Sequence, residues 1–148
     1  MMLALSWLIA GCGERSDEPM AFGQAEYQRF CSTCHGIDGT GRPPSFPPLA
    51  GSEWMDMGAE STALIVLVGL RGRIEVAGRT YNGYMPPMTQ LSDEQIAAVL
   101  SYMTETGWAR WTDLPDAARI AELRAYAESL ETFVGRAPLE QALEELSP

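Results

Sequence analysis

The residues with the clearest chemical purpose are Cys31, Cys34 and His35, in the run Cys31-Ser32-Thr33-Cys34-His35. This C-x-x-C-H spacing is the attachment signal for c-type haem. Two thiols three positions apart lie on one face of a helical turn, where each can form a thioether with one vinyl group of the porphyrin. The adjacent imidazole then falls beneath the iron. Three other readings of the two cysteines are weaker. A thioredoxin-like redox pair needs a βαβ surround, which the flanking sequence lacks. A zinc site needs a fourth ligand, and the remaining cysteine, Cys12, is far away in sequence. A disulfide between Cys31 and Cys34 would close a very small loop and stabilise little.

A second iron ligand follows partly by elimination. His35 is the only histidine and the chain has no lysine, so bis-His and His/Lys ligation within one chain are excluded. Methionine is the expected partner, and His/Met ligation raises the reduction potential. The candidates are Met20, Met55, Met57, Met85, Met88 and Met103. Met103 fits a helical core stripe. Met85 lies in Tyr84-Met85-Pro86-Pro87-Met88, where the prolines fix the backbone and would hold a sulfur with little loss of entropy.

These groups need elements to position them. A helical stripe is expected from Phe22 to His35, carrying Phe22, Tyr27 and Phe30. The stretch 36–53 is rich in Gly and Pro (Pro43, Pro44, Pro47 and Pro48 among them) and reads as a long loop that binds something or is disordered. Ala63–Leu70 is an apolar run that periodicity cannot assign to helix or strand. Turn signals over 72–83, including Asn82-Gly83, flank a short Ile74-Glu75-Val76 alternation and suggest a small hairpin. The clearest helix starts at Ser92: Ser92 and Gln95 form a capping box, Leu91 and Ile96 a hydrophobic staple, and Gly107 a stop. Its inward stripe is Ile96, Val99, Leu100 and Met103. Further helices are expected after Asp113, as N-cap, with Ile120, Leu123, Ala127 and Leu130, and after Gly135, with Leu139, Leu143 and Leu146.

The chain's 148 residues suit one compact domain with an appendage, and its formal charge of −10 argues against nucleic acid, which needs a basic face. The acidic balance suggests either a basic partner or a solvated face kept for solubility. Residues 1–11 (MMLALSWLIAG) are apolar and too short for a bilayer core, which needs ~20 such residues; they have the size of a signal-peptide h-region. Ile9-Ala10-Gly11-Cys12 resembles the lipobox of bacterial lipoproteins, which would make Cys12 the lipid carrier, although no Lys or Arg precedes it. Residues 12–21 then read as a polar tether.

From about residue 22 to 108 the chain resembles class I cytochrome c, in its bacterial periplasmic branch, within a domain read as residues 22–110. The resemblance rests on Cys31-Ser-Thr-Cys-His35-Gly36, Pro47-Pro48-Leu49-Ala50-Gly51-Ser52-Glu53-Trp54, and Tyr81-Asn82-Gly83-Tyr84-Met85-Pro86-Pro87 followed by Leu91-Ser92-Asp93-Glu94. It implies an all-α, cytochrome c-like domain wrapped around one covalent haem, with His35 and Met85 on the iron and the Pro47 carbonyl orienting the imidazole. It places Gly23, Tyr27 and Tyr102 at a crossing of the first and last helices of that domain. Trp54, Arg71 and Arg73 are implied partners of the haem propionates, against the plain alternative of a core Trp and solvated Arg. The acidic segment 111–148 has no counterpart in the resemblance and reads as a helical extension.

A closed six-coordinate iron favours single-electron transfer between redox proteins over catalysis. An enzyme would need Met85 to leave and a distal acid–base group, and no second His exists to serve. The competing placement is a fixed subunit of a larger membrane-associated dehydrogenase or oxidase, with the acidic tail as a docking helix. The combined expectation is a periplasmic, lipid-anchored electron carrier and not an enzyme.

Overall fold

The computed structural model describes residues 18–147, so the signal segment, Cys12 and most of the tether lie outside the described residues. The helices are α1 (Glu18–Phe30), α2 (Ser32–His35), α3 (Ala59–Val68), α4 (Asp93–Glu105), α5 (Ala117–Ala127) and α6 (Ala137–Leu146). The strands are β1 (Leu70–Val76), β2 (Arg79–Met85) and β3 (Phe133–Val134), and a 3-10 turn covers Glu53–Met57. Among the described residues, no helix is long and apolar enough to cross a membrane.

The frame is a crossing of α1 and α4. At Gly23 the backbones approach so closely that a Cβ would sit 2.3 Å from the Ala98 carbonyl oxygen and 2.9 Å from Tyr102 Cβ. Tyr27, Tyr102 and Trp108 pack ring to ring beside it, with centroids 5.0–5.6 Å apart. Ser92 and Gln95 form the expected reciprocal cap, and the Gln95 amide also donates to the buried Glu26 on α1 at 2.6 Å. The cap that starts α4 thus also fastens it to α1. Ile96, Val99, Leu100 and Met103 are all buried, as the stripe predicts.

Several expectations change. Helix α1 starts at Glu18, inside the expected tether, and Phe22 is exposed while Tyr27 faces the core. The apolar run resolves as α3, buried on nearly every side, which is why it shows no amphipathic period. The all-α expectation is incomplete: a three-stranded sheet of order β2-β1-β3 stands beside the helices. Its hairpin turns at Ala77-Gly78, not at Asn82-Gly83, which lies within β2 opposite Arg73 and Gly72. Both turn residues have positive φ (49° and 71°), the requirement of the two-residue turn that matches strand twist. The Glu53 carboxylate accepts the Ala77 amide at 2.8 Å and holds that turn.

Residues 111–147 are not a separate appendage. Helix α5 packs on α3 and α4, with Ile120 and Leu123 fully buried, and its N-cap is Asp116 rather than Asp113. Then β3 joins β1 in parallel, pairing Leu70 with Phe133 and Arg71 with Val134. Helix α6 returns to α3 through the fully buried Leu139. This segment is a strap around the domain, and it includes a strand.

Candidate haem site

One large apolar cleft runs between α1–α2, the loop 36–53, α3, the hairpin and α4. Cys31 caps α2, and the His35 amide donates to the Cys31 carbonyl at 2.9 Å, so the C-x-x-C-H run is a single helical turn on the cleft wall. Tyr27 Oη donates to the Gly36 carbonyl at 2.7 Å and ties this turn to the helix crossing. The Pro-rich loop is ordered. Gly41 N donates to the His35 carbonyl at 2.8 Å, and Leu49 N to the Gly39 carbonyl at 2.7 Å. Gly41 has φ +76°, and a Cβ there would lie 2.6 Å from Pro47 backbone, so only glycine permits this closure.

The loop delivers the Pro47 carbonyl to His35 Nδ1 at 2.9 Å. Burial lowers the imidazole pKa, and the bond to Pro47 opposes that shift only in part. The neutral ring therefore carries its proton on Nδ1, donated to Pro47, and its Nε2 lone pair remains for coordination. Cys31 and Cys34 are both half-buried and form no disulfide among the described residues. Burial, and then the neighbouring Cys34, push the Cys31 thiol up to about 12.

Four methionines reach this cleft: Met55, Met85, Met88 and Met103. Met20 is exposed and Met57 lines a different groove. Met88 Sδ accepts from Gln90 Nε2 at 3.3 Å, whereas Met85, at the end of β2 opposite Leu70, has no such engagement among the described residues. Arg71 lines the cleft and forms no ion pair among the described residues. Trp54 and Arg73 sit as the plain alternative has them, a core Trp and a solvated Arg. Trp54 lines the cleft, but its Nε1 donates to the Glu75 carbonyl at 2.9 Å, so the indole is spent within the protein. Arg73 is an exposed side chain beside Glu75 at 3.4 Å and does not line the cleft.

Three hydroxyl-bearing residues of the cleft lining were not read as site residues from the sequence, Ser45, Ser52 and Thr62. Thr62 Oγ1 is the one buried side-chain polar atom without a hydrogen-bond partner among the described residues. Its only signal in the sequence is a polar residue at the mouth of an apolar run.

Two thiols and a neutral imidazole on one helical turn, thioether sulfurs within the same cleft, and otherwise apolar walls fit a flat, hydrophobic, iron-bearing macrocycle. These features define a c-type haem protein. The comparisons agree. The cytochrome c family model matches residues 20–107. A cytochrome c-552 of Thermus thermophilus is 44% identical over 96 residues, covering 60% of this chain and 64% of that protein. Another cytochrome c-552 of Thermus thermophilus is 48% identical over 82 residues, covering 53% and 62%. The chain thus spans less than two thirds of the length of these relatives. It belongs to the cytochrome c family and carries one covalent haem c, with Cys31-Ser32-Thr33-Cys34-His35 fitting the attachment motif.

Proposed function

We propose that this protein transfers single electrons between redox proteins through a haem held by thioethers at Cys31 and Cys34, with His35 and Met85 as axial ligands. The haem supplies the one-electron ferrous/ferric couple. The chain's residues supply the setting: Pro47 fixes the tautomer and direction of His35, apolar walls exclude water, and the cleft rim stays open at Phe46 and Tyr84. The His35–Pro47 bond carries the reading, because it fixes the direction of the ring and keeps its proton on Nδ1, which leaves the Nε2 lone pair to bind iron. Both ligand positions are then filled by side chains, which leaves no place for substrate and favours electron exchange over catalysis.

The assignment of Met85 is tested by substitution. Met85→Ala should abolish the weak far-red iron–thioether charge-transfer band of the oxidised protein and lower its reduction potential, while Met88→Ala leaves the band in place. The reverse pattern moves the ligand to Met88. We further propose export to the periplasm and lipid anchoring through Cys12. Cys12→Ser should shift the protein from the membrane to the soluble fraction with its visible spectrum unaltered; continued membrane association would assign the attachment to a partner. As for a fixed subunit docked by the acidic tail, the inward residues of α5 and α6 are already spent on this chain's own core. Only their polar faces remain for a partner.

A further inference from the structure

The two faces of the sheet have opposite surroundings. Leu70, Ile74, Val76 and Tyr81 line the haem cleft from its inner face. The outer face is open to solvent. There Tyr84, Arg71 and Val134 form one row across all three strands, since Arg71 is the register partner of both neighbours. Tyr84 is 58% exposed and Val134 56%. Single exposed apolar side chains are ordinary, but two of them flanking one exposed arginine make a patch. The row also runs into the cleft mouth, because Tyr84 and Arg71 line that as well, together with the exposed Phe46.

Charge on this side has the sign opposite to the chain's. The formal charge is −10, yet segments 41–49 and 70–85 hold Arg42, Arg71, Arg73 and Arg79 against the single carboxylate of Glu75. That carboxylate is already engaged: Thr80 Oγ1 donates to it at 2.6 Å, and Arg73 lies 3.4 Å away. At the far end of the hairpin, Glu53 is spent on the Ala77 amide. The loop carrying Arg42 belongs to the same side. Arg42 N donates to the Phe46 carbonyl at 2.9 Å, and a Cβ on Gly83 of β2 would lie 3.4 Å from the Ser45 carbonyl oxygen. Arg42 forms no ion pair among the described residues. Even with Arg71 given over to the haem, the mouth of the cleft keeps an uncompensated guanidinium beside its apolar rim.

We propose that this face, from Phe46 across Tyr84 and Arg71 to Val134, docks an acidic redox protein. The partner's charge is then the reverse of what the chain's net charge suggests. The inference rests on the electron-carrier reading and deepens it by naming the surface and the kind of partner. Small, weakly held interfaces suit electron exchange, and complementary charge sets the encounter rate and orientation more than the lifetime. Val134 comes from the strap, so the strap supplies part of the contact as well as part of the sheet.

The experiment mixes ferrous holoprotein with a small one-electron oxidant, anionic ferricyanide or cationic tris(phenanthroline)cobalt(III), over a range of salt. In either case one electron leaves the ferrous haem and reduces the reagent. Ferricyanide should react faster at low salt than at high salt, the signature of local attraction. Arg42→Gln should lower its low-salt rate severalfold and Arg42→Lys restore it, while Glu75→Gln raises it; at high salt all four proteins should converge. Isotope-labelled holoprotein titrated with polyglutamate should show amide shifts grouped at Arg71, Tyr84 and Val134. A ferricyanide rate that rises with salt, as the net charge of −10 dictates, would overturn the proposal. So would a rate indifferent to salt, which makes the face a purely apolar contact, and so would polyglutamate shifts that are absent or grouped elsewhere. Failure of both oxidants to oxidise the ferrous protein would instead undo the electron-carrier reading itself.

Discussion

The α1–α4 crossing and the strap of residues 111–147 secure the same cleft by different means. The crossing works by exclusion of atoms: Gly23 lets two backbones touch, and three aromatic rings fill the space beside them. The strap works by many separable attachments. Trp111 Nε1 donates to the Met55 carbonyl at 2.6 Å, Arg124 bridges Asp93 and the Leu91 carbonyl, and Arg119 grips Glu60 through two bonds. β3 covers one end of β1, and the Arg136 guanidinium lies 5.7 Å from the centre of the Trp54 ring. A single backbone contact has no substitute when lost, whereas distributed attachments fail one at a time.

That difference orders the expected damage. Gly23→Leu should have the largest effect, because the colliding atom is backbone at 2.3 Å and cannot rotate away. Overpacking usually costs about 1–3 kcal/mol and occasionally more, with a backbone collision at the upper end, and the measurement is the yield of folded holoprotein together with its denaturation midpoint. A well-folded Gly23→Leu protein would show that the crossing tolerates separation. Phe133→Ala comes next. This side chain is 3% exposed, and its removal should cost about 3 kcal/mol by the usual range for buried aromatics, while the visible spectrum stays unaltered. A lost haem spectrum would mean that the strap and the cleft are one inseparable unit. Arg119→Gln should be the mildest. Its bonds to Glu60 are short, at 2.6 and 3.0 Å, but both side chains are about one-third exposed, so about 0.5–1 kcal/mol is expected. The effect should shrink as salt is added to the denaturation series.

The two regions were also unequally legible. The C-x-x-C-H turn, the Ser92–Gln95 cap and the stripe of α4 are local patterns, and the structure follows them residue by residue. The propionate partners were less legible: Trp54 and Arg73 turn out to be engaged by Glu75, a strand residue whose neighbours only the hairpin register determines. The hairpin was legible within 72–83 but its turn residues were not, because Ala77 seldom adopts positive φ, whereas Asn82-Gly83 advertises it. Strand β3 has only the residues Phe133 and Val134, too few for an alternation to register, and it exists because β1 offers an edge. Asp113 and Asp116 both suit an N-cap; Pro115 stands between them, and the helix begins after the later one, where Asp116 accepts the Arg119 amide at 2.8 Å.

The parallel pairing of β3 with β1 also bears on the order in which the molecule assembles. Leu70 finds Met85 across a tight turn, but it finds Phe133 only after α4 and α5 have been laid down between them. Pairings so distant in sequence incur loop-closure entropy before any bond rewards it, so they form late and raise the contact order of the fold. The third strand is therefore the last stitch of the sheet and the first to open. In a hydrogen-exchange experiment the amides of Phe133 and Gly135, which donate to the Gly69 and Arg71 carbonyls, exchange through this local opening, while those of α4 wait for the whole domain to unfold.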